Sequence, residues 1–223
     1  MGKLIIDLGH GGQDPGSIGP SKVCEADVVL SIGEEIEKNL NGYDLEYKFT
    51  RISDKFISLT QRASIANIFG ASYFVSIHIN STTDKSVRGV EVWQYDADSK
   101  RLNNFSKCVC DDISKVLNIR NRGVKYNKNF AVLKNTKMPA CLIEVDFISN
   151  IDAERDLKDS AKIKEIAKVI TDNLAHLYDL QKVKKVEEDI LYKVCIGAFR
   201  DKNNAINQVK EAKSKGFRDA YII

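Results

Sequence analysis

Apolar and polar positions alternate between two periods along most of the chain. Short, mostly apolar runs at Lys3–Leu8, Leu45–Thr50, Ser72–Ile77, Gly89–Trp93, Phe130–Leu133 and Ala140–Val145 predict six strands. Two of them, "YFVSI" and "CLIEV", are continuous apolar runs, as expected of central strands covered on both faces. Helical spacing occupies the intervals: Glu25–Leu40 through Val29, Ile32, Ile36 and Leu40, then Leu59–Phe69 closed by Gly70, Leu102–Leu117, and Ala161–Tyr178. Strands alternating with helices predict an α/β fold, three layers α/β/α around a six-stranded, mostly parallel or mixed sheet over residues 1–180.

The pattern breaks at 181–189, "QKVKKVEED", a polar stretch that reads as a linker. Residues 190–223 then predict a small β-α-β unit: a strand in "LYKVCIGAF", a helix ending at Gly216 and a short strand "DAYII". A unit of this size is too small to bury a core alone. It docks on the main domain, pairs with a second copy in a homodimer, or is a fragment of a larger module.

Composition adds little until charge is located. The 223 residues carry a formal charge of +3, too small to argue for nucleic acid. Residues 182–223 hold 10 Lys+Arg and 6 Asp+Glu, so the tail is basic and the remainder nearly neutral; a basic tail favours polyanionic partners. No apolar run approaches a membrane span and the N-terminus lacks a signal-peptide layout, so synthesis in the cytoplasm without stable membrane insertion is expected. Five cysteines with no C-x-x-C pair predict a reduced protein free of disulfides.

Chemistry enters with the histidines, of which there are three. His10 follows the first strand in "LIIDLGHGG", a turn too rich in glycine to bury it, and His78 ends "SYFVSIHIN". His176, on the last amphipathic helix of the domain, reads as a packing or surface residue. Ligands of open α/β sheets bind beyond the carboxyl ends of strands, so His10 and His78 can converge. Two imidazoles and a carboxylate with an open position form a recurrent catalytic zinc set. Asp7, Asp14, Glu25 and Asp27 are the candidate carboxylates; Glu25, opening a helix that faces the strand ends, is preferred on geometry, with Asp14 its rival. Glu144 lies in an otherwise apolar strand, "ACLIEVDF", where burial raises a carboxyl pKa toward the range useful for proton transfer. The loop "GHGGQDPGSIG" lacks the terminal Lys-Ser/Thr and the G-x-G-x-x-G spacing of a phosphate cradle.

These residues fall in ordered blocks that resemble the zinc-dependent N-acetylmuramoyl-L-alanine amidases of the type 3 family, hydrolases of bacterial peptidoglycan. The blocks are "IIDLGHGGQDPGSIG", "EADVVLSIGEEI", "KFTRISDKFISLTQRASIAN", "FVSIHINS", "RGVEVW", "NRGVK" and "FAVLKNTKMPACLIEVDFISN". The resemblance implies a zinc amidase domain at 1–180, with His10, Glu25 and His78 as ligands of Zn2+ and Glu144 as the catalytic carboxylate. It also suggests Asn80, Arg62 and Arg51 as substrate-binding groups, against a structural role fixing strand and helix ends. Leu8 stands where the family usually has proline and Asp146 where it has glycine; Asp146 is expected either to raise the Glu144 pKa or to bind substrate. The tail, through "V-x-x-GAF" and "KGF", resembles the first half of a sporulation-related repeat, a wall-binding module.

The implied partner is bacterial peptidoglycan. A wall amidase without a leader is expected to be a phage endolysin that reaches the wall at host lysis, ahead of a bacterial enzyme freed by mother-cell lysis. A zinc peptidase acting on the stem peptide and a non-catalytic wall-binding protein are the competing expectations.

Overall fold

The computed structural model describes residues 2–181, 197–218 and 220–222. The chain divides into two compact units, residues 1–184 and 185–223.

The first unit is built on one six-stranded sheet of order β2-β1-β3-β6-β4-β5. Its strands are β1 Lys3–Leu8, β2 Glu46–Phe49, β3 Tyr73–Asn80, β4 Val90–Gln94, β5 Asn121–Tyr126 and β6 Ala140–Phe147. All neighbours pair in parallel except β4 with β6. On one face Leu4, Ile6 and Leu8 join Val75, Ile77, Val92 and Ile143. Helices α1 Glu25–Leu40, α3 Lys100–Leu117 and α6 Ser160–Leu177 cover this face with Ile32, Ile36, Val109, Ile113, Ile166 and Ile170. The opposite face carries a smaller cluster of Ile5, Phe74 and Leu142, capped by α2 Leu59–Phe69 and α4 Ala131–Asn135. Strand period two thus separates the two cores. A short helix, α5 Ile151–Lys158, follows β6.

Local signals account for the helix ends. Ser58 and Gln61 form a reciprocal capping box at the start of α2, and Gly70 ends that helix in the left-handed region at φ 69°. Leu8 takes the space that glycine leaves in α1: a Cβ on Gly33 would stand 2.4 Å from Leu8 Cδ1. Leucine at this strand end is therefore accommodated by the helix packed over it.

The sixth strand is not where periodicity places it. Phe130–Leu133, expected as a strand, opens α4, and the strand is Asn121–Tyr126 instead. Val132 and Leu133 are buried from one side of a helical turn; a short apolar run does not distinguish that from a strand. Meanwhile β5 is an edge strand, "NRGVKY", whose charged residues and Gly123 mask its pairing. Helix α5 also lacks a counterpart among the expected elements.

In the second unit, helix α7 spans Lys202–Ser214, with the Asp201 side chain accepting from the Asn203 and Asn204 amides at its N-terminus. The linker expected at 181–189, apart from its first residue, and most of the strand expected in "LYKVCIGAF" lie outside the described residues. Residues 220–222 form no strand, so "DAYII" does not extend as expected among the described residues. No helix among the described residues is long and apolar enough to cross a membrane.

Beneath the carboxyl edge of the sheet lies a buried ionic knot. Asp7, fully buried, accepts from Arg62 (2.8 Å), Thr50 Oγ1 (2.7 Å) and Ser76 Oγ (2.6 Å). Arg62 also donates to the carbonyls of Ile57, Leu8 and His10. Removing one member of such a pair strands a buried charge. Arg62→Ala is therefore expected to cost about 3–5 kcal/mol, read as a lower midpoint in urea denaturation.

Candidate metal centre and catalytic edge

The site grows from the loop after β1. His10 sits in the left-handed region at φ 57°, a conformation unusual for a residue with a side chain. Two buried guanidinium groups hold it there. Arg51 donates to the carbonyls of Leu8 (3.0 Å), Gly9 (2.8 Å) and Ala26 (2.8 Å), and Arg62 to that of His10 (2.7 Å). Both arginines are about 4 % exposed or less. Their donors are turned to backbone oxygens and, for Arg62, to Asp7 as well, the bonding of residues that fix strand and helix ends.

His10 Nε2 lies 3.1 Å and His78 Nδ1 2.9 Å from the same oxygen, Glu25 Oε1. His78 reaches it from the end of β3, and Glu25 from the first residue of α1. One ligand atom from each of the three falls within 4.8 Å of the others. Glu25 is itself fixed: Oε1 accepts from the Ile79 amide (3.0 Å) and Oε2 from the Ser17 amide (2.9 Å). Gly16, at φ 66°, lines this cradle; a Cβ there would stand 2.7 Å from both Glu25 Oε2 and His10 Cδ2.

Asp14, the rival carboxylate, hydrogen-bonds the other ring nitrogen of His10, Nδ1, at 2.9 Å. It orients the ring from behind, as partners of metal-binding imidazoles do, and stands outside the cluster. Asp7 is taken up by Arg62, and Asp27 is exposed on α1. Burial opposes ionisation of Glu25, but hydrogen bonds from both imidazoles overcome it and hold the carboxyl well below its ordinary range. For His10, burial disfavours the charged form, yet Glu25 and Asp14 raise its pKa overall. A permanent carboxylate converging with two imidazoles is a donor set that fits a divalent cation, with nitrogen and oxygen donors in the proportion zinc accepts.

Glu144 lies beside this cluster. On β6 it stands directly opposite His78 of β3 and Glu91 of β4. The residue is half-buried, but its Oε2 is enclosed and has no hydrogen-bond partner among the described residues. Burial, followed by the charges of Glu25 and Glu91, raises its pKa well above the ordinary value. An orphaned buried acceptor of this kind calls for a functional reason.

Glu91 has no place among the expected site residues. It is 2 % exposed and accepts from Asn80 Nδ2 (3.0 Å), Trp93 Nε1 (3.0 Å), Arg122 Nε (2.8 Å) and Lys125 Nζ (2.6 Å). Burial works against its ionisation, but Lys125 and Arg122 more than compensate and lower its pKa. The signal was the same as for Glu144, an acid among apolar residues in "GVEVW". Asn80 therefore reaches the edge through Glu91.

Asp146 departs from both roles expected of it. The β3–β6 register shifts after His78, so Asn80 pairs with Phe147. Asp146, fully buried, binds Arg88 through Nε (3.0 Å) and a terminal nitrogen (2.7 Å), and the Gly89 amide (2.8 Å). It anchors the entry to β4.

A family model described as N-acetylmuramoyl-L-alanine amidase matches residues 4–176. The amidase CwlM of Bacillus licheniformis is 37 % identical over 225 residues, covering all of this chain and 85 % of that protein. The sporulation-specific N-acetylmuramoyl-L-alanine amidase of Bacillus subtilis is 33 % identical over 226 residues, with the same coverage of each. An endolysin of Bacillus phage SPP1 is 35 % identical over 189 residues, covering 82 % of this chain and 68 % of that protein. Among solved structures, the catalytic domain of CwlV, an amidase from Bacillus (Paenibacillus) polymyxa, superposes with a TM-score of 0.75 at 33 % identity, covering 81 % of this chain and all of that one.

Asp146→Asn keeps the acceptor for the Gly89 and Phe147 amides but removes the charge facing Arg88. It is expected to lower stability by about 2 kcal/mol, seen as a fall in Tm. The acid limb of the pH–rate profile should stay where it is; a moved limb would return Asp146 to the chemistry.

Proposed function

The chain belongs to the N-acetylmuramoyl-L-alanine amidase family, enzymes that cut the amide between N-acetylmuramic acid and the L-alanine of the peptidoglycan stem, and from that premise we propose that His10, Glu25 and His78 hold its zinc and that Glu144 moves its proton. The observation that carries this reading is the single oxygen, Glu25 Oε1, on which two imidazoles converge, with Glu144 and its orphaned Oε2 on the neighbouring strand directly opposite His78.

Zinc in this set supplies the Lewis acidity that makes water acidic enough to attack near pH 7. The chain's own residues do the rest. Glu144 accepts the proton of the attacking water at Oε2 as the carbon–oxygen bond to the lactyl carbonyl forms. When the carbon–nitrogen bond breaks, Glu144 returns that proton to the departing alanine nitrogen. A free carboxylate on the sugar and a free amine on the peptide result. The raised affinity of Glu144 for a proton suits the first half of this exchange, since a group of ordinary carboxylate acidity takes a proton from water reluctantly. Asp14 keeps the His10 ring turned to the centre, and the Arg51–Arg62 pair keeps its loop from relaxing out of the left-handed conformation.

For the route to the wall, the correspondence with the two Bacillus amidases extends through the tail, whereas that with the endolysin covers 82 % of the chain. This favours a bacterial wall amidase over a phage endolysin. The tail serves as a glycan-binding module, a reading supported by its "GAF" and "KGF" blocks and by its basic excess.

Purified Gram-positive walls test the chemistry. Digestion should release new amines identified as the N-terminus of L-alanine, and a chelator should abolish it. An internal stem residue as the new N-terminus would make the protein a peptidase. Glu144→Gln should lose about 10²–10⁴-fold in rate while keeping its zinc by elemental analysis. Gly16→Ala should instead lose activity together with zinc, because its Cβ invades the cradle. In the wild type, kcat/KM should rise with pH through a limb above the ordinary carboxylate range, because Glu144 must be ionised to accept the proton.

A further inference from the structure

Beyond Glu144 this edge of the sheet continues over β4 and β5, which run opposite to β6, into a positively charged flank that the hydrolytic chemistry leaves unused. Residues 113–143 contain seven Lys and Arg and no Asp or Glu. Two of these cations are set at the edge. Val90 pairs with Asn121 and Val92 with Val124, so β5 carries one more residue than β4 between the two pairings, and Gly123 in this bulge has φ 77°. Arg122 and Lys125, three apart, would face opposite sides of a regular strand; the bulge turns both toward Glu91. Their positions are held by Glu91 Oε2, at 2.8 Å and 2.6 Å.

The charges do not balance. One carboxylate faces two cations, leaving a net positive charge beside the reaction centre. Both side chains remain accessible, at 25 % and 32 %. The two terminal nitrogens of the Arg122 guanidinium donate no hydrogen bond among the described residues, while its plane lies over the Phe147 ring at 5.0 Å. Lys125 likewise lies 5.1 Å from the Trp93 ring. A guanidinium fixed at Nε, with its outer edge free, presents two parallel donors, the arrangement that receives a carboxylate.

We propose that Arg122 and Lys125 form a carboxylate subsite that seats the acidic second residue of the stem peptide; this rests on the amidase reading above. The distances agree. Glu91 is the cross-strand neighbour of Glu144, about 5 Å away, and both cations end on it. Measured from the amide being cut, the second residue of an extended peptide lies about 7 Å along the chain. The sheet order then assigns directions: the peptide runs from Glu144 over β4 toward β5, and the glycan lies on the side of β3 and β1.

Two soluble muropeptides test this, N-acetylmuramoyl-L-alanyl-D-glutamate and its isoglutamine analogue, which differ by one carboxylate against one carboxamide. The wild type should favour the acid about ten-fold in kcat/KM. In Lys125→Gln, which keeps a donor for Glu91, and in Arg122→Gln the ratio should fall toward one; Lys125→Arg should restore it. Melting curves identify any variant that has lost its fold, and the other then carries the comparison. Calorimetric binding of both muropeptides to Glu144→Gln gives the same ratio without turnover. Equal cleavage and equal binding of the two, or an unchanged ratio in folded variants, would overturn the subsite while leaving the amidase reading intact. Tighter binding of the acid with neither compound cleaved by the wild type would support the subsite and overturn the amidase reading.

Discussion

The catalytic edge depends on two guanidinium groups that face inward. Arg51 and Arg62 spend their donors on the carbonyls of Leu8, Gly9, His10 and Ala26. A strand leaving a parallel sheet exposes backbone oxygens with no ladder partner, and buried oxygens must be satisfied. Arginine meets several at once, and each bond to a charged donor is stronger than a neutral one. The same bonds impose the left-handed turn that presents the His10 ring. Asp7 then offsets the charge of Arg62 from below, so the site stands on an ionic foundation rather than on hydrophobic packing.

Above that foundation the edge orders its charges from one side to the other. Glu25 is kept ionised by two imidazoles, Glu91 by two cations, and Glu144 between them has its proton affinity raised by burial and by both neighbours. Three acidic side chains of similar intrinsic strength thus take distinct protonation behaviour from their surroundings alone.

Much of this was legible in the residues. Continuous apolar runs such as "YFVSI" mark β3 and β6 as interior strands, and the alternation with amphipathic helices yields the three layers. His10, His78 and Glu144 stand out because each breaks an apolar run at a strand end or sits in a turn too small to bury it. What was hidden depended on distant partners. The edge strand β5 resembles a loop because its pairing face is shared with charged residues and Gly123. Glu91 looks like an outward position of an alternating strand until Arg122 and Lys125, more than 30 residues later, are seen to enclose it. For Arg51 and Arg62, residue type alone does not separate an arginine that binds a ligand from one that binds its own backbone.

The sheet order has a consequence for assembly. Strands β2, β1 and β3 come from residues 3–80 and lie together, while β6, β4 and β5 come from residues 90–147 and lie together; only the β3–β6 pairing joins them. His10, Glu25 and His78 all belong to the first half and Glu144 to the second. A chain emerging from the ribosome completes the His10–Glu25–His78 cluster before Glu144 has been synthesised. On the proposed roles, hydrolytic competence requires that one seam to close, and a nascent or nicked chain lacking the second half has the proposed metal ligands without the proposed proton carrier.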